Sequence, residues 1–286
     1  MIVQKSITVL NSLLKRVPAE KKSYYLTFYE DLLQKAFTDN FSTGKTPKDL
    51  SLKELFDKID ESWYIEKIST FSKSDLLFFT SLLSHQKRAH LREKLGIEGL
   101  FYTFSEKFEL YCLNLFFKEL FPNELPLPFS FLEETPLYFL TTGNTEKIHK
   151  LAFYLGLFDI SLELKTVLKG SILKQLQITL FADEIAFCKE ISEFRHPFSL
   201  GPLGLANWNE NSDSLRKALF ERGLYRLSIG LSNSSPDFIW YILHFLDKDI
   251  AKRLEKQPKV EIDTKIFEIA LNQIEIAWKG VCTVLN

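Results

Sequence analysis

A helix-pair pattern occurs twice in this chain and constrains the fold more than any other feature. The first copy covers residues 72–94 and the second covers residues 234–256. In each copy a cap residue and an Asp precede an apolar helix, and a short polar break separates that helix from a charged one. Repeated helix pairs stack on their neighbours, so the pattern predicts an all-α fold of stacked helix pairs with armadillo-like or α-solenoid character.

The composition agrees with long helices joined by short connections. Phe occurs 26 times, against 11 Gly and 10 Pro, and 45% of the residues are hydrophobic. Apolar residues recur at helical spacing from end to end, and no convincing alternating run indicates a sheet. One long helix is expected over residues 48–69, and Gly96, Gly156, Gly170 and Gly223 are expected where one helix ends and another begins.

Breaks in the helical pattern predict the domain organisation. Residues 122–130 contain three prolines, and Thr141 to Thr145 is polar, so neither segment reads as continuous helix. We therefore expect an N-terminal helical half at 1–121, a Pro-containing hinge region at 122–144 and a C-terminal helical-repeat half at 145–286. A second irregular segment, 196–211, is long enough for a functional or a well-packed loop.

The motifs that carry chemistry are missing from this sequence. Gly44-Lys45-Thr46 lacks both the earlier glycine and the preceding strand of a phosphate-binding loop. His85 and His90 are five residues apart, so a helix would not place them on one face as metal ligands. We predict no catalytic, cofactor-binding or metal-binding residue and expect that the protein is not an enzyme.

Charge and hydropathy limit the kind of partner. A formal net charge of −1 argues against a general nucleic-acid binder. No run approaches the roughly 18 apolar residues of a membrane span, so no direct span is expected. Cys112, Cys188 and Cys282 are far apart in apolar helical contexts, which favours reduced core residues. Together with the absence of a leader-like N-terminus, these features predict a cytoplasmic protein.

Three residues are candidates for contact with a protein partner. Trp208 is an aromatic residue in the long loop, where it can anchor a partner or pack internally. Arg222 and Arg226 are four apart on either side of Gly223, and they share a face if the helix continues through that glycine. They can form a small basic site for an acidic partner helix; alternatively, they cap a helix end and form a salt bridge to Glu221 or Asp213.

The second helix pair resembles the armadillo-like repeat of the flagellar motor switch protein FliG. The similarity is carried by Ser235 to Trp240, followed by Leu243, Leu246, Ile250-Ala251 and Leu254. That family has Glu-His before the proline and Gln after it. Ser234, Ser235 and Asp237 stand there instead, so the family's partner contact does not transfer.

The middle of the chain is similar to the SctK family, the cytosolic sorting-platform adaptors of type III secretion machines. A basic helix from Lys87 ends in Leu95-Gly96, and Leu125-Pro126-Leu127-Pro128 follows a later helix. The two resemblances imply a non-enzymatic adaptor that links a membrane-ring protein to platform subunits of a type III secretion or flagellar-type apparatus. Its partners would be secretion-ring or switch-complex subunits, and the amphipathic segment 2–17 could serve as one arm. The alternative is a helical-repeat regulator or chaperone that binds exported client proteins.

Overall fold

The computed structural model describes residues 51–122, 132, 135–164, 170–193, 198, 200–205, 208, 211–257 and 263–284. Within these residues the chain forms twelve α-helices, two short 3₁₀ helices and no strand, which confirms the all-α class. The α-helices, numbered in chain order, are α1 Leu52–Lys58, α2 Ile65–Ile68, α3 Lys73–Leu82, α4 His85–Leu95, α5 Glu106–Leu120, α6 Thr145–Leu164, α7 Gly170–Thr179, α8 Ala182–Ser192, α9 Ser212–Leu231, α10 Pro236–His244, α11 Lys248–Glu255 and α12 Thr264–Val284. The 3₁₀ helices are Glu61–Trp63 and Tyr138–Thr142.

Both predicted helix pairs are present, as α3 with α4 and α10 with α11. The Ser72 hydroxyl accepts a hydrogen bond from the backbone N–H of Asp75 at 3.2 Å and so caps α3. The Ser235 hydroxyl caps α10 in the same way, at 3.3 Å from the N–H of Phe238, and Pro236 occupies the first turn. The stacking of such pairs into an armadillo-like solenoid stays a prediction.

The expected single helix over 48–69 is wrong within the described residues. Asp60 interrupts it, because its side chain accepts a hydrogen bond from the backbone N–H of Ser62 at 3.0 Å. Its own N–H donates to the carbonyl of His244 at 2.8 Å instead of continuing the helix. A tertiary contact therefore splits the segment into α1, a 3₁₀ helix and α2.

The most extensive helix contact joins α6 and α9, and two glycines make it possible. Gly156 and Gly223 lie inside these helices, so the expectation that they mark helix ends is wrong. A Cβ on Gly223 would lie 1.5 Å from the carbonyl oxygen of Ala152, and one on Gly156 would lie 2.1 Å from that of Leu219. Both glycines are needed because the two backbones touch. Gly96, in contrast, is a left-handed helix cap with φ 61°, as expected.

The chain divides into two compact units, Met1–Ser51 with Leu125–Glu133 and Leu52–Glu124 with Glu134–Asn286. All twelve helices belong to the second unit. Most of the first unit lies outside the described residues, as do the Gly44-Lys45-Thr46 motif and the amphipathic segment 2–17. Part of 122–144 does too, so the two halves and their hinge stay a prediction.

Aromatic rings connect the early helices to α10. The Phe56 ring packs edge-on against Phe79 and Phe117, with centroids 5.9 Å apart in each case. Farther along, the His244 imidazole is stacked between two indoles, 4.1 Å from the ring centroid of Trp63 and 3.9 Å from that of Trp240. One aromatic core therefore supports α1, α3, α5 and α10, and it fixes the surface that α5 presents.

Candidate functional site

Arg226 lies in the interior of the protein rather than on a partner surface. Its exposed fraction is 0%, and that of Asp159 is 3%. Two guanidinium nitrogens of Arg226 donate to the two Asp159 carboxylate oxygens at 2.8 and 2.6 Å, and its Nε donates to Gln273 Oε1 at 3.1 Å. These bonds tie α9 to α6 and α12. Each of the three guanidinium nitrogens donates one of them.

Arg222 joins the same carboxylate to the long loop. Its Nη1 is 3.2 Å from Asp159 Oδ2 and donates to the carbonyl of Gly201 at 2.7 Å. Its Nη2 donates to the carbonyl of Pro202 at 2.9 Å. Glu163, on α6, accepts the backbone N–H groups of Leu203 and Leu205 through its two carboxylate oxygens, each at 2.7 Å. Two side chains of opposite charge thus hold the backbone of the loop: Arg222 binds its carbonyl groups and Glu163 binds its N–H groups.

The expected salt bridges of the arginines differ from those observed. Glu221 pairs with Arg253, and the carboxylate that receives Arg222 and Arg226 is Asp159, sixty-seven positions away from Arg226 in sequence. Sequence reasoning missed Asp159 because nothing local identifies a distant helix as the neighbour. The single carboxylate of Asp159 binds both guanidinium groups, so neither arginine is a free cation for an acidic partner.

Trp208 is half-buried beside a small cavity. Its indole N–H donates to the carbonyl of Asn211 at 3.1 Å. The cavity has a volume of about 310 Å³ and is lined by Leu203, Gly204, Leu205, Trp208, Ser214, Leu215 and Ala218. No titratable side chain is in this lining. The partner-binding roles of Trp208, Arg222 and Arg226 stay a prediction. Arg226 is the least accessible of the three residues.

Helix α5 exposes apolar side chains that sequence reasoning did not select. Phe108, Tyr111 and Leu115 are 44%, 61% and 51% exposed and recur at i, i+3 and i+7, which places them on one face. We call these three residues the α5 stripe. The opposite face of the helix carries Leu113 and Phe117, which are buried in the aromatic core.

The α5 stripe rests on a ring cluster that continues past the helix. Phe108 contacts Phe104 and Phe78 at centroid distances of 5.4 and 6.3 Å. Phe78 contacts Tyr102 at 6.2 Å, and Tyr102 is itself exposed. A sequence signal existed, because α5 has large apolar residues on both faces where a surface helix normally has a polar one. Contiguous exposed apolar patches of this kind mark interaction surfaces.

Several titratable groups have shifted pKa values, and each shift has a structural cause. Burial raises the pKa of Tyr64, and burial together with the hydrogen bond to Asp183 raises that of Tyr154. Burial, with the nearby Glu184 carboxylate, raises the pKa of the Cys188 thiol to about 12. These groups keep their protons at neutral pH, and a thiol with a raised pKa is a poor nucleophile.

The described part of the chain contains no group of three His, Cys, Asp or Glu side chains arranged to hold a metal ion. None of its helices is long and apolar enough to cross a membrane.

No protein-family model matches the chain, and neither a curated protein nor a solved structure is significantly similar to it.

Proposed function

We propose that this protein is a non-enzymatic adaptor that binds a protein partner through the α5 stripe. The observation that carries the proposal is the exposure of Phe108, Tyr111 and Leu115 on one helix face. Aromatic and Leu side chains at i, i+3 and i+7 are the pattern by which helices engage one another across an apolar seam. A partner that covers the stripe would remove this surface from water.

Support for a binding role also comes from the way the stripe is held. The buried face of α5 packs into the aromatic core through Phe117, and Lys53 on α1 pairs with Glu109 at 3.1 Å. A helix backbone that is already held in place loses little additional freedom when a partner binds. The stripe is therefore better suited to recognition than the same residues would be on a loop.

The finer assignment rests on the resemblances to FliG and SctK. It places the adaptor in the cytosolic platform of a type III secretion or flagellar-type apparatus, where it would link a membrane-ring protein to platform subunits. Armadillo-like stacking of the helix pairs belongs to this proposal, as does a cytoplasmic location at the inner face of a membrane-embedded complex. The segment 2–17, outside the described residues, would act as a second arm.

The test is capture of partners from the native cell with identification by mass spectrometry. Wild type is compared with Tyr111→Lys/Leu115→Lys and with Ile178→Lys, a matched control that charges an exposed apolar residue (76% exposed) on α7. Exposed substitutions of this kind change stability little, and circular dichroism checks the fold.

We expect secretion-ring or switch-complex subunits with wild type and with the α7 control, and their loss with the α5 variant. Diverse exported proteins in their place would favour the chaperone alternative. Equal recovery from all three proteins would reject the α5 stripe as the binding surface.

A further inference from the structure

We propose that the α5 stripe accepts an amphipathic helix that carries acidic residues along one edge. This inference rests on the proposed function and specifies the chemistry of the partner. It is carried by the positions of two lysines on α5, Lys107 and Lys118, relative to the stripe.

The two lysines lie on the same edge of the stripe. A helix advances about 100° per residue, so residues eleven apart are separated by about 20° around the axis and by roughly 16 Å along it. On the same basis, Tyr111, Leu115 and Phe108 follow at about 40°, 80° and 100° from Lys107. The exposed surface of α5 is therefore an apolar seam with a cationic edge beside it. One lysine lies near each end of the helix, and the two lysines are about three turns apart.

The charge of this edge is available to a partner. Both lysines are exposed, and neither forms an ion pair with any described residue. Glu109, the acidic residue of α5 nearest the core, is already paired with Lys53 at 3.1 Å. Glu119 lies beyond the stripe on its far edge. A helix with Glu or Asp opposite Lys107 and Lys118 would gain favourable contacts and a defined orientation.

A second copy of this chain fits the surface less well. In an antiparallel two-fold pairing the same edges meet, so Lys107 would oppose Lys118 of the second copy. Like charges in that arrangement repel each other. In a parallel pairing the lysine edge meets the far edge, where Glu119 could face Lys118. At the height of Lys107, however, that edge carries Ser105 and Phe108, so Lys107 would have no acidic partner. The charges of the edge thus favour a different, acidic helix.

The experiment measures binding of defined peptides to the full chain by fluorescence anisotropy. The acidic probe is a labelled helical peptide of about 18 residues, long enough to hold a helical conformation on the surface. It has Leu at i, i+3 and i+7 and Glu along one edge. A matched probe has Lys at the Glu positions. A third peptide copies residues 2–17 of this chain, whose charged residues are Lys5, Lys15 and Arg16.

We expect the acidic probe to bind at least about tenfold more tightly than either basic peptide at about 0.05 M salt, with the difference shrinking at about 0.5 M because salt screens exposed charges. Lys107→Glu/Lys118→Glu should reverse the order of the acidic and basic probes. Tyr111→Ala should weaken the preferred probe about tenfold or more, because it truncates the central aromatic contact.

Three results would overturn the inference. The first is equal affinity for the acidic and basic probes, unchanged by Lys107→Glu/Lys118→Glu. The second is absence of probe binding while cellular partners are still captured through Tyr111, which would leave the proposed function in place. The third is a wild-type dimer in light scattering that Tyr111→Lys abolishes, which would identify a second copy as the occupant. Failure of the proposed function would give a different result, because Tyr111→Lys/Leu115→Lys would then capture the same partners as wild type.

Discussion

Arg226 and Asp159 form a two-bond ion pair from which solvent is excluded, with donor–acceptor distances of 2.8 and 2.6 Å. The pair joins α9 to α6, and Gln273 extends it to α12 at 3.1 Å. A second guanidinium, that of Arg222, approaches the same carboxylate at 3.2 Å. A charge cluster therefore lies between the three longest helices of the described chain. Arg222 connects this cluster to the loop through the carbonyls of Gly201 and Pro202.

Removing Arg226 should destabilise the protein strongly. Arg226→Leu leaves the Asp159 carboxylate buried with only one partial partner, so we expect a loss of about 3–5 kcal/mol in the free energy of unfolding. Urea unfolding followed by circular dichroism measures it. The double variant Arg226→Leu/Asp159→Leu should recover much of the loss, because no uncompensated charge is left. A single-variant loss below about 1 kcal/mol would contradict the burial of this pair.

A methyl group on Gly223 should disrupt the crossing of α6 and α9. The Cβ of Gly223→Ala would lie 1.5 Å from the Ala152 carbonyl oxygen, and the atoms nearest to it are all backbone atoms of α6, which cannot move aside as a side chain can. We expect a loss of about 3 kcal/mol or failure to fold. The control is Gly170→Ala, because a Cβ there meets nothing within 4 Å. Thermal unfolding should leave that control near wild type; equal melting temperatures for both variants would reject the close crossing.

Arg222 should control local opening of the loop rather than the global fold. Arg222→Ala removes the donors to the carbonyls of Gly201 and Pro202. We expect a stability loss of about 1–2 kcal/mol and faster amide hydrogen exchange at Leu203 and Leu205. Exchange rates resolved by NMR measure the effect. Exchange of these two amides at the wild-type rate would show that Glu163 alone holds the loop.

The Glu61 carboxylate should make the free energy of unfolding fall more steeply as the pH is lowered into the acid range. Burial alone would raise the pKa of its carboxyl, but hydrogen bonds from Lys94 and His90 lower the pKa below the usual value of 4.5. A group with a lowered folded pKa contributes stability that is present above pH 4.5 and disappears as the pH falls through the folded value. Glu61→Gln should therefore cost about 1 kcal/mol at neutral pH and flatten the decline below pH 4.5.

The control for this pH dependence is Glu66→Gln, which removes an exposed carboxylate of the neighbouring helix α2. Its unfolding free energy should follow the wild-type profile from pH 7 to about pH 3. If the free energy of unfolding of Glu61→Gln and Glu66→Gln declines equally below pH 4.5, the lowered pKa of Glu61 does not contribute to stability.

Features with local causes could be predicted from the sequence. Ser72 and Ser235 start helices because a hydroxyl satisfies the first free N–H groups of the chain that follows, and Gly96 ends one because it adopts a positive φ at low cost. The two helix pairs follow from these signals and from the 3.6-residue period of the apolar side chains. The all-α class needed nothing beyond such short-range chemistry.

Features of the site required the tertiary structure, and each depends on which distant segments meet. Gly223 looks like a helix end until α6 is seen to touch it, and Arg226 looks like a surface cation until Asp159 is seen beside it. Phe108 and Phe117 have the same side chain on the same helix, yet one is 44% exposed and the other is buried. Sequence alone determined that the chain is helical and where the capped helices begin, since those features are set by residues within a few positions of one another. Packing decided which of their faces are covered, because burial depends on contacts between residues far apart in the chain.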